Sequence, residues 1–395
     1  MDKDKFYKAE TLLSHNTRDD ENDRALTPPI AQTSTFYFNN VDQVKKAFNF
    51  ETDDYVYTRG NNPTIRLFEE KMAVVEKGNA SVAFASGMAA ISSTLLSLLE
   101  PNDKVVFHRT LYGSTHTFAK TVLKRYGIES IFLNLTNFDE LEKNITEDVK
   151  VIYFETPANP NLELIDIQKV KEVIGERDIK IVVDNTFLSP YFQNPLELGA
   201  DIVLHSATKY ISGHGDVVAG VVVSKDVDYI HELKFSYMTE LGGVLSPFNA
   251  WLLLRGLKTL HVRMKAHESN ASQIAEFLSK HKKVKNVVYP GLENYPYNDI
   301  VKKQMKGTGA IITLEIDGTK QDAIRFIESL KLFKIAVSLG DIESLVEIPS
   351  EMTHLGYDKN ELEDFGLSEK MIRLSIGIEN AKDLIDDIND ALDKI

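Results

Sequence analysis

The strongest constraint on the fold is a regular alternation of short apolar runs with helical patterns, which begins near residue 64. Several of these runs have apolar residues at every successive position and not only at alternate positions, which is typical of strands that are buried on both faces. The alternation therefore predicts an α/β fold with a mostly parallel central sheet that is covered by helices. The runs that predict strands are SVAFAS (81–86), KVVFH (104–108), SIFLNL (130–135), VKVIYFE (149–155), IKIVVD (179–184), DIVLHS (201–206) and AGVVVS (219–224).

The chain divides into three parts on this pattern. Residues 1–61 show little regular periodicity and are interpreted as an N-terminal arm, whereas residues 62–260 contain the alternating pattern and predict a large domain. The long amphipathic segment 246–280 leads into residues 261–395, which predict a smaller C-terminal α/β domain. The apolar runs of this smaller domain are AIITLEID (310–317) and MIRLSIGIE (371–379).

Charge and composition limit the kinds of partner. Of the 395 residues, 59 are acidic and 45 are basic, which gives a formal net charge of −14 at pH 7. This negative charge argues against nucleic acid and against an anionic membrane surface as partners. The charged start MDKDKFYKAE lacks the apolar core of a secretory signal, and no apolar segment is long enough to span a bilayer. The absence of cysteine excludes disulfides and thiolate chemistry, and we expect a cytoplasmic protein.

Several common binding and catalytic motifs are absent from the sequence. The chain contains neither GxxxxGK[ST] nor a GxGxxG after a strand, which disfavours a nucleotide P-loop and a Rossmann dinucleotide site. It also lacks HExxH and GxSxG, and its ten histidines are scattered, so we expect no metal site.

Polar residues at the ends of the apolar runs are the remaining candidates for a site. Asp184 closes IKIVVD, Lys209 follows DIVLHS, and Glu155 and Asn159 follow the run at 149–155. Each residue alone has an ordinary structural explanation, such as a capping or a strand-end position. Ligands of parallel sheets, however, bind outside the carboxyl ends of the strands, so these residues together predict one site.

The chemistry of these residues indicates pyridoxal phosphate. A helix that begins Ser-Gly-Met at residues 86–88, together with the hydroxyls of Ser206 and Thr208, offers hydrogen-bond donors to a phosphate. Lys209 can form a Schiff base with an aldehyde, since partial burial lowers the pKa of an amine. Asp184 can keep a pyridine nitrogen protonated. Tyr112 in TLYGST could supply an aromatic face and a phenol, or pack in the core.

Nine motifs in order resemble those of the Cys/Met-metabolism family of pyridoxal-phosphate enzymes, from about residue 15 to the end of the chain. The resemblance implies the fold of the aspartate aminotransferase-like, fold type I, enzymes that depend on pyridoxal phosphate. The motifs are YTRGNNPT, ASGMAA, TLYGSTH, FETPANPN, VVDNTF, HSATKYISGHGD, LSPFNAWLLLRG, AVSLGDIESL and MIRLSIGIE.

The resemblance also implies a role for each matching residue. Lys209 would carry the cofactor and move protons, Asp184 would pair with the pyridine nitrogen, and Tyr112 would stack on the ring and act on the substrate. Family members are typically homotetramers built from dimers that share their active sites, so part of the phosphate site would come from a neighbouring subunit. The expected phosphate residues are Gly87, Met88, Ser206 and Thr208, with Tyr57 and Arg59 from the neighbour; the expected substrate residues are Arg373, Ser338 and Asn159.

The expected reaction is an α,γ-elimination from methionine or from a related sulfur amino acid such as homocysteine. The segments GHGDVVAG and AVSLGDIESL most resemble the methionine γ-lyase branch, and the apolar Val337 suits a thioether. Ser114 and the pair Met238-Thr239 depart from that branch, which usually has a cysteine and a Lys-Asp pair there. Cystathionine γ-lyase, cystathionine γ-synthase and O-acetylhomoserine sulfhydrylase therefore stay as alternatives, and His214 has no expected role.

Overall fold

Two β-sheets organise the part of the chain that is described here. The computed structural model describes residues 7–15, 25–355, 357, 362 and 365–395. The first seven strands form one sheet and the other five form a second sheet. The strands are β1 (Ala80–Phe84), β2 (Lys104–His108), β3 (Glu129–Leu133), β4 (Val149–Glu155), β5 (Lys180–Asp184), β6 (Ile202–His205), β7 (Gly220–Ser224), β8 (Val284–Val288), β9 (Ile311–Ile316), β10 (Lys334–Ile335), β11 (Leu345–Glu347) and β12 (Ile372–Ser375).

Helices connect and cover these strands. Short π-helical turns continue α5 at Ala119–Leu123 and α9 at Leu233–Met238, and two 3₁₀ turns lie at Pro195–Glu197 and Pro349–Glu351. Within the described ranges, no helix combines the length and the apolar character that crossing a membrane requires. The α-helices are α1 (Ala9–Ser14), α2 (Val41–Phe48), α3 (Pro63–Val75), α4 (Gly87–Leu98), α5 (Gly113–Phe118), α6 (Phe138–Asn144), α7 (Ile167–Ile174), α8 (Ser189–Phe192), α9 (Val227–Glu232), α10 (Thr239–Leu241), α11 (Pro247–Leu257), α12 (Leu260–Ser279), α13 (Asn298–Gln304), α14 (Lys320–Ser329) and α15 (Ala381–Leu392).

The large sheet has the strand order β1-β7-β6-β5-β4-β2-β3. The five strands β2 to β6 run parallel to one another. Strand β7 runs antiparallel to both of its neighbours, β1 and β6. The prediction of a mostly parallel sheet is therefore confirmed. In the register of the sheet, Glu155 at the end of β4 pairs with Asp184 at the end of β5. The parallel strands thus bring these two carboxylates, and the turn after β6, to one edge of the sheet.

Alternate residues of the large sheet enter two apolar cores, one on each face. Ile181 and Val183 lie in one core with residues of α3 and α11, and Val182 lies in the other core with residues of α4. All three side chains are fully buried. Because both faces are covered, the strand is apolar throughout rather than alternating, which is the pattern that the sequence shows.

The small sheet has the order β10-β11-β12-β9-β8 and is mainly antiparallel. Its core contains Ile312 and Leu374 from the strands, Phe326 from α14 and Leu384 from α15, all fully buried. The apolar runs at 310–317 and in the first half of 371–379 supply its two central strands, β9 and β12. The polar β8 and the short β10 have too little apolar pattern to be predicted from the sequence.

One expectation from periodicity needs correction. The arm contains short helices α1 and α2 among its described residues, so it is less irregular than the sequence suggests. The amphipathic segment 246–280 forms two helices, α11 and α12. Leu257 and Leu260, on either side of the break between these helices, are both fully buried in the same apolar core.

Helix α12 supports the turn after β6 through a buried arginine. Arg263 donates from Nη1 to the carbonyl oxygen of Tyr210 at 2.7 Å and from Nη2 to that of Gly256 at 2.9 Å. The guanidinium lies against Gly213, where a Cβ atom would overlap it, so only glycine permits this approach. Arg263 is 4% exposed, and burial lowers its pKa to about 10. The charged donors therefore fix the backbone that immediately follows Lys209.

We expect Arg263→Met to destabilise the fold, because the substitution removes two charged donors and leaves the buried Tyr210 carbonyl oxygen without a donor. Each hydrogen bond from a charged donor contributes roughly 1.5–3 kcal/mol, so the expected loss in free energy of unfolding is about 3 kcal/mol. Denaturant unfolding followed by circular dichroism would measure it, with the exposed Arg255→Met on α11 as the matched control. Equal unfolding midpoints for the two variants would contradict this role of Arg263.

Candidate active site

A cavity of about 220 Å³ lies at the carboxyl ends of β4, β5 and β6 and reaches to the small sheet. Its wall contains residues from both sheets, from the start of α4 and from the loop before β11. Ten of the twelve residues to which the family resemblance assigns a role line this one cavity. They are Gly87, Met88, Tyr112, Asn159, Asp184, Ser206, Thr208, Lys209, Ser338 and Arg373.

Lys209 lies in the turn after β6 and faces the cavity. Its Nζ donates to the Oγ of Ser338 at 2.9 Å, and so links the large sheet to the small one. The turn is closed by the Gly213 amide, which donates to the Lys209 carbonyl at 2.8 Å. Burial, assisted by the positive charge of Arg373, lowers the pKa of Lys209 to about 8. A substantial fraction of the amine is therefore neutral and nucleophilic near neutral pH.

Asp184 ends β5 and holds a carboxylate at the floor of the cavity. Its Oδ1 accepts hydrogen bonds from the amide of Thr186 at 2.9 Å and from the Thr186 hydroxyl at 2.5 Å. Its Oδ2 faces the hydroxyl of Tyr153 at 3.4 Å. Burial raises the pKa of Asp184, while the hydrogen bonds from Thr186 oppose that rise. These contacts fix the carboxylate in position and favour its use as a partner for a cationic or N–H group.

Glu155 and Tyr112 form a second contact between neighbouring strand ends. Tyr112 precedes α5, and its backbone amide donates to the Oε1 of Glu155 at 2.7 Å. Glu155 is 5% exposed, and burial, with the charge of Asp184, raises the pKa of Glu155 well above its ordinary value. The Tyr112 side chain is 40% exposed, so the phenol stands at the open side of the cavity while its backbone is held from below.

Arg373 lies in β12 and brings a buried positive charge to the cavity. Nη1 donates to the Oδ1 of Asn159 at 2.9 Å, and Nη2 donates to the carbonyl oxygen of Ser338 at 2.9 Å. Glu347 in β11 forms an ion pair with Nη1 at 2.9 Å. The Nε atom is buried and has no hydrogen-bond partner among the described residues. Such an orphaned charged donor fits a carboxylate of a bound molecule.

The start of α4 forms a cradle at another side of the cavity. Ser86 caps this helix of 12 residues, its side chain accepting from the amide of Ala89 at 3.0 Å, and the first turn leaves backbone N–H groups for a ligand. A Cβ atom at Gly87 would lie 2.9 Å from the Cβ of Ser206, so glycine lets the helix approach Ser206 closely. Ser206, Thr208 and the helix start together present a donor set suited to a phosphate group.

Tyr57 and Arg59 are not brought to this cavity within one chain. They line a second cavity of about 640 Å³, whose wall includes Phe50, Arg66 and Phe235. The Tyr57 side chain is 48% exposed, and the Arg59 guanidinium lies 5.6 Å from the centre of its ring.

Some residues at or beside the cavity are not predicted from the sequence. Thr186 follows Asp184 by two positions, the spacing of a local side-chain turn, which is a signal that could have found it. Glu347 forms an ion pair with Arg373 on the neighbouring strand and accepts a hydrogen bond from Thr353, and no local sequence pattern indicates these contacts.

The residues present fit the predicted cofactor. The cavity combines a lysine whose pKa is lowered, a partly buried carboxylate at Asp184, and a set of donors beside Gly87 that a Cβ atom there would obstruct. In the described part of the chain, no group of three or more His, Asp or Glu side chains is arranged to hold a metal ion.

Comparisons with known proteins agree on one family. The family model for the Cys/Met metabolism PLP-dependent enzymes matches residues 10–393. An L-methionine γ-lyase of Fusobacterium nucleatum subsp. polymorphum is 45% identical over 373 residues, 94% of this chain and 94% of that protein. A cystathionine γ-lyase of Dictyostelium discoideum is 42% identical over 389 residues, 98% of this chain and 98% of that protein.

A solved structure gives the same result at the level of the fold. A Campylobacter jejuni protein assigned as an O-acetylhomoserine (thiol)-lyase matches with a TM-score of 0.94 and 32% identity, over 98% of this chain and 100% of that one. That structure contains N′-pyridoxyl-lysine-5′-monophosphate, in which the cofactor is joined to a lysine. The predicted fold type I class is therefore confirmed. The chain belongs to the family of Cys/Met metabolism PLP-dependent enzymes, and its cofactor is pyridoxal 5′-phosphate.

Proposed function

We propose that this chain is a carbon–sulfur lyase that catalyses the α,γ-elimination of L-methionine. With water, the products are methanethiol, ammonia and 2-oxobutanoate. The observation that carries the proposal is the single cavity in which Lys209, Asp184 and Arg373 meet. The choice of methionine is supported by relatives named L-methionine γ-lyase, one of which is 45% identical over 94% of the chain.

We infer that the cradle and the floor of the cavity hold the cofactor. When bound, pyridoxal phosphate supplies an electron-withdrawing ring that makes the Cα hydrogen of an attached amino acid acidic. The amides of Gly87 and Met88 and the hydroxyls of Ser206 and Thr208 would donate to its phosphate. The Asp184 carboxylate would accept the pyridine N–H, which keeps that nitrogen positively charged. Lys209 would hold the aldehyde carbon through its amine.

Arg373 is the proposed binding group for the substrate carboxylate. Its Nε atom lacks a partner among the described residues, whereas both terminal nitrogens are already bound. A carboxylate can accept from Nε and from one terminal nitrogen together, which fixes its orientation. Asn159 and Ser338 hold the guanidinium in place for that contact.

Lys209 and Tyr112 are the proposed proton-transfer residues. The neutral amine of Lys209 would accept the Cα proton, and a pKa of about 8 keeps it able to accept and return protons near neutral pH. The Tyr112 phenol, at the open side of the cavity, would donate a proton to the departing sulfur. The half-exposed Val218 and Val337 line the same opening and offer an apolar surface to a thioether.

The assembly and location are also part of the proposal. We infer a homotetramer of paired subunits in which Tyr57 and Arg59 contribute to the phosphate site of a neighbouring subunit. Their separation from the Lys209 cavity and their position around a second large cavity support this arrangement. A chain without cysteine has no need of an oxidising compartment, which supports a cytoplasmic location.

We expect purified protein to show a visible absorption band from the bound cofactor, and Lys209→Ala to abolish turnover while leaving the fold intact. The reason is that the covalent anchor and the proton acceptor are removed together. Absorbance spectra, circular dichroism and product assays would measure these effects, with the exposed Lys382→Ala as the control. A colourless wild-type protein that binds no added pyridoxal phosphate would contradict the proposal.

A substrate panel distinguishes the members of the family. We expect kcat/KM for L-methionine to be at least as high as for cystathionine, because Val218 and Val337 favour an uncharged thioether over a distal ammonium group. The panel contains methionine, homocysteine, cystathionine and O-acetylhomoserine with a thiol. A 42% identical relative is a cystathionine γ-lyase, so turnover of cystathionine far above that of methionine would replace the first assignment by this second one.

The lowered pKa of Lys209 predicts how its reactivity depends on pH. In protein freed of cofactor, trinitrophenylation of Lys209 by 2,4,6-trinitrobenzenesulfonate should rise about tenfold per pH unit below about 8 and level off above it, because only the neutral amine reacts and the reagent does not itself titrate in this range. Peptide mass spectrometry would follow Lys209 and the exposed control Lys382, whose pKa is raised by Asp386. The rate at Lys382 should keep rising beyond pH 9. Identical profiles for the two lysines would refute the prediction.

A further inference from the structure

The part of the chain that follows β11 and contains Ser350, Thr353, His354 and Tyr357 packs against the backbone on either side of Tyr112. It is called the segment after β11. The carbonyl oxygen of Leu111 faces the Nε2 of His354 at 3.1 Å and accepts from the hydroxyl of Tyr357 at 3.0 Å. A Cβ atom at Gly113 would overlap the Thr353 carbonyl, so the two backbones touch where glycine permits it. His354 is fully buried. Tyr112 is therefore flanked on both sides by residues that contact this segment.

The same segment is connected to Arg373 by hydrogen bonds. The Thr353 hydroxyl lies 2.9 Å from the Oε1 of Glu347 and 2.9 Å from the Nδ1 of His354. Glu347 forms the ion pair with Arg373 at 2.9 Å. A continuous line of contacts thus runs from Arg373 through Glu347, Thr353 and His354 to the backbone at Leu111.

The hydrogen of the Thr353 hydroxyl can point in either of two directions along this series of contacts. It has one hydrogen, and that hydrogen can be donated to Glu347 or to His354 at any moment, but not to both. Burial lowers the pKa of His354 to about 4, so the ring is neutral; Nε2–H donates to Leu111, and Nδ1 accepts. A change in the strength of the ion pair between Arg373 and Glu347 would therefore alter the hydrogen bond that Thr353 donates to His354.

We propose that Thr353 and His354 are positioning residues that couple the carboxylate site at Arg373 to the placement of Tyr112. The inference rests on the proposed function, since it assigns Arg373 to the substrate carboxylate and Tyr112 to proton transfer. In this arrangement, a carboxylate that engages Arg373 changes how strongly Glu347 competes with His354 for the Thr353 hydrogen, and this changes the contact of His354 with the backbone that precedes Tyr112.

A double-mutant cycle with the holoenzyme tests the coupling. Thr353→Val keeps the shape but removes the hydroxyl, and we expect it to lower kcat/KM for methionine about tenfold. In a Tyr112→Phe background the same substitution should lower kcat/KM less than twofold, because its effect passes through the phenol. Thr353→Ser, which restores the hydroxyl, should recover most of the wild-type value. Equal losses in the two backgrounds would overturn the proposal.

Hydrogen–deuterium exchange gives a readout that does not depend on turnover. In the holoenzyme, Thr353→Val should speed exchange in peptides that cover residues 109–118 at least threefold, whereas Thr353→Ser should match wild type. Ser350→Ala is the control in the same segment, since its hydroxyl bonds to the carbonyl of Glu369 and not to this line. Unchanged exchange in Thr353→Val would refute the proposal. If wild type turns over no sulfur amino acid, the proposed function fails, while this exchange measurement still decides the positioning role.

Discussion

The buried guanidinium of Arg373 is the interaction on which the geometry of the cavity depends. It is 3% exposed, and it contacts Asn159 near the large sheet, Ser338 in the loop before β11 and Glu347 in the small sheet. Removing a charge from water is costly, and a single ion pair with Glu347 offsets only part of that cost. The unpartnered Nε shows that, within the described residues, the charge is not fully satisfied. The folded protein therefore carries an unmet hydrogen-bond donor at Arg373, which is the basis for proposing that it binds a carboxylate.

The same charge also shapes the chemistry of Lys209. The two side chains share the residue Ser338, one through its hydroxyl and the other through its carbonyl oxygen. Positive charge near a buried amine favours the neutral amine, which is the form that reacts with an aldehyde and accepts a proton. The same cavity also contains the carboxyl groups of Glu155 and Asp184, which end neighbouring strands and whose pKa values are both raised by burial. Acidic groups at the strand ends and the basic groups of Arg373 and Lys209 therefore line one cavity.

The sequence predicts the strands of the large sheet well because each strand is marked by an apolar run in its own stretch of sequence. Every predicted strand of the large sheet ends within two residues of the observed one, since the apolar runs are bounded by polar or turn residues. The residues that follow these strands, such as Asp184 and Lys209, come together because parallel strands end at one edge. The antiparallel direction of β7 could not be predicted, since GVVVS is buried on both faces in either direction. The family resemblance, rather than any local pattern, identified Arg373 and Ser338.

The contacts that complete the site join segments that are distant in the sequence, so the geometry of the site depends on how the two sheets are placed relative to each other. Tyr112 is held by Glu155 from the large sheet and by His354 from beside the small sheet, while Lys209 contacts Ser338 across the same boundary. Neither sheet alone fixes both side chains. A relative shift of the two sheets would break these few hydrogen bonds together. The largest apolar core opposes such a shift, because it contains Ile311 of β9 and Leu339 together with residues of the large sheet. The order of the site therefore depends on the packing between the two sheets as well as on each sheet by itself.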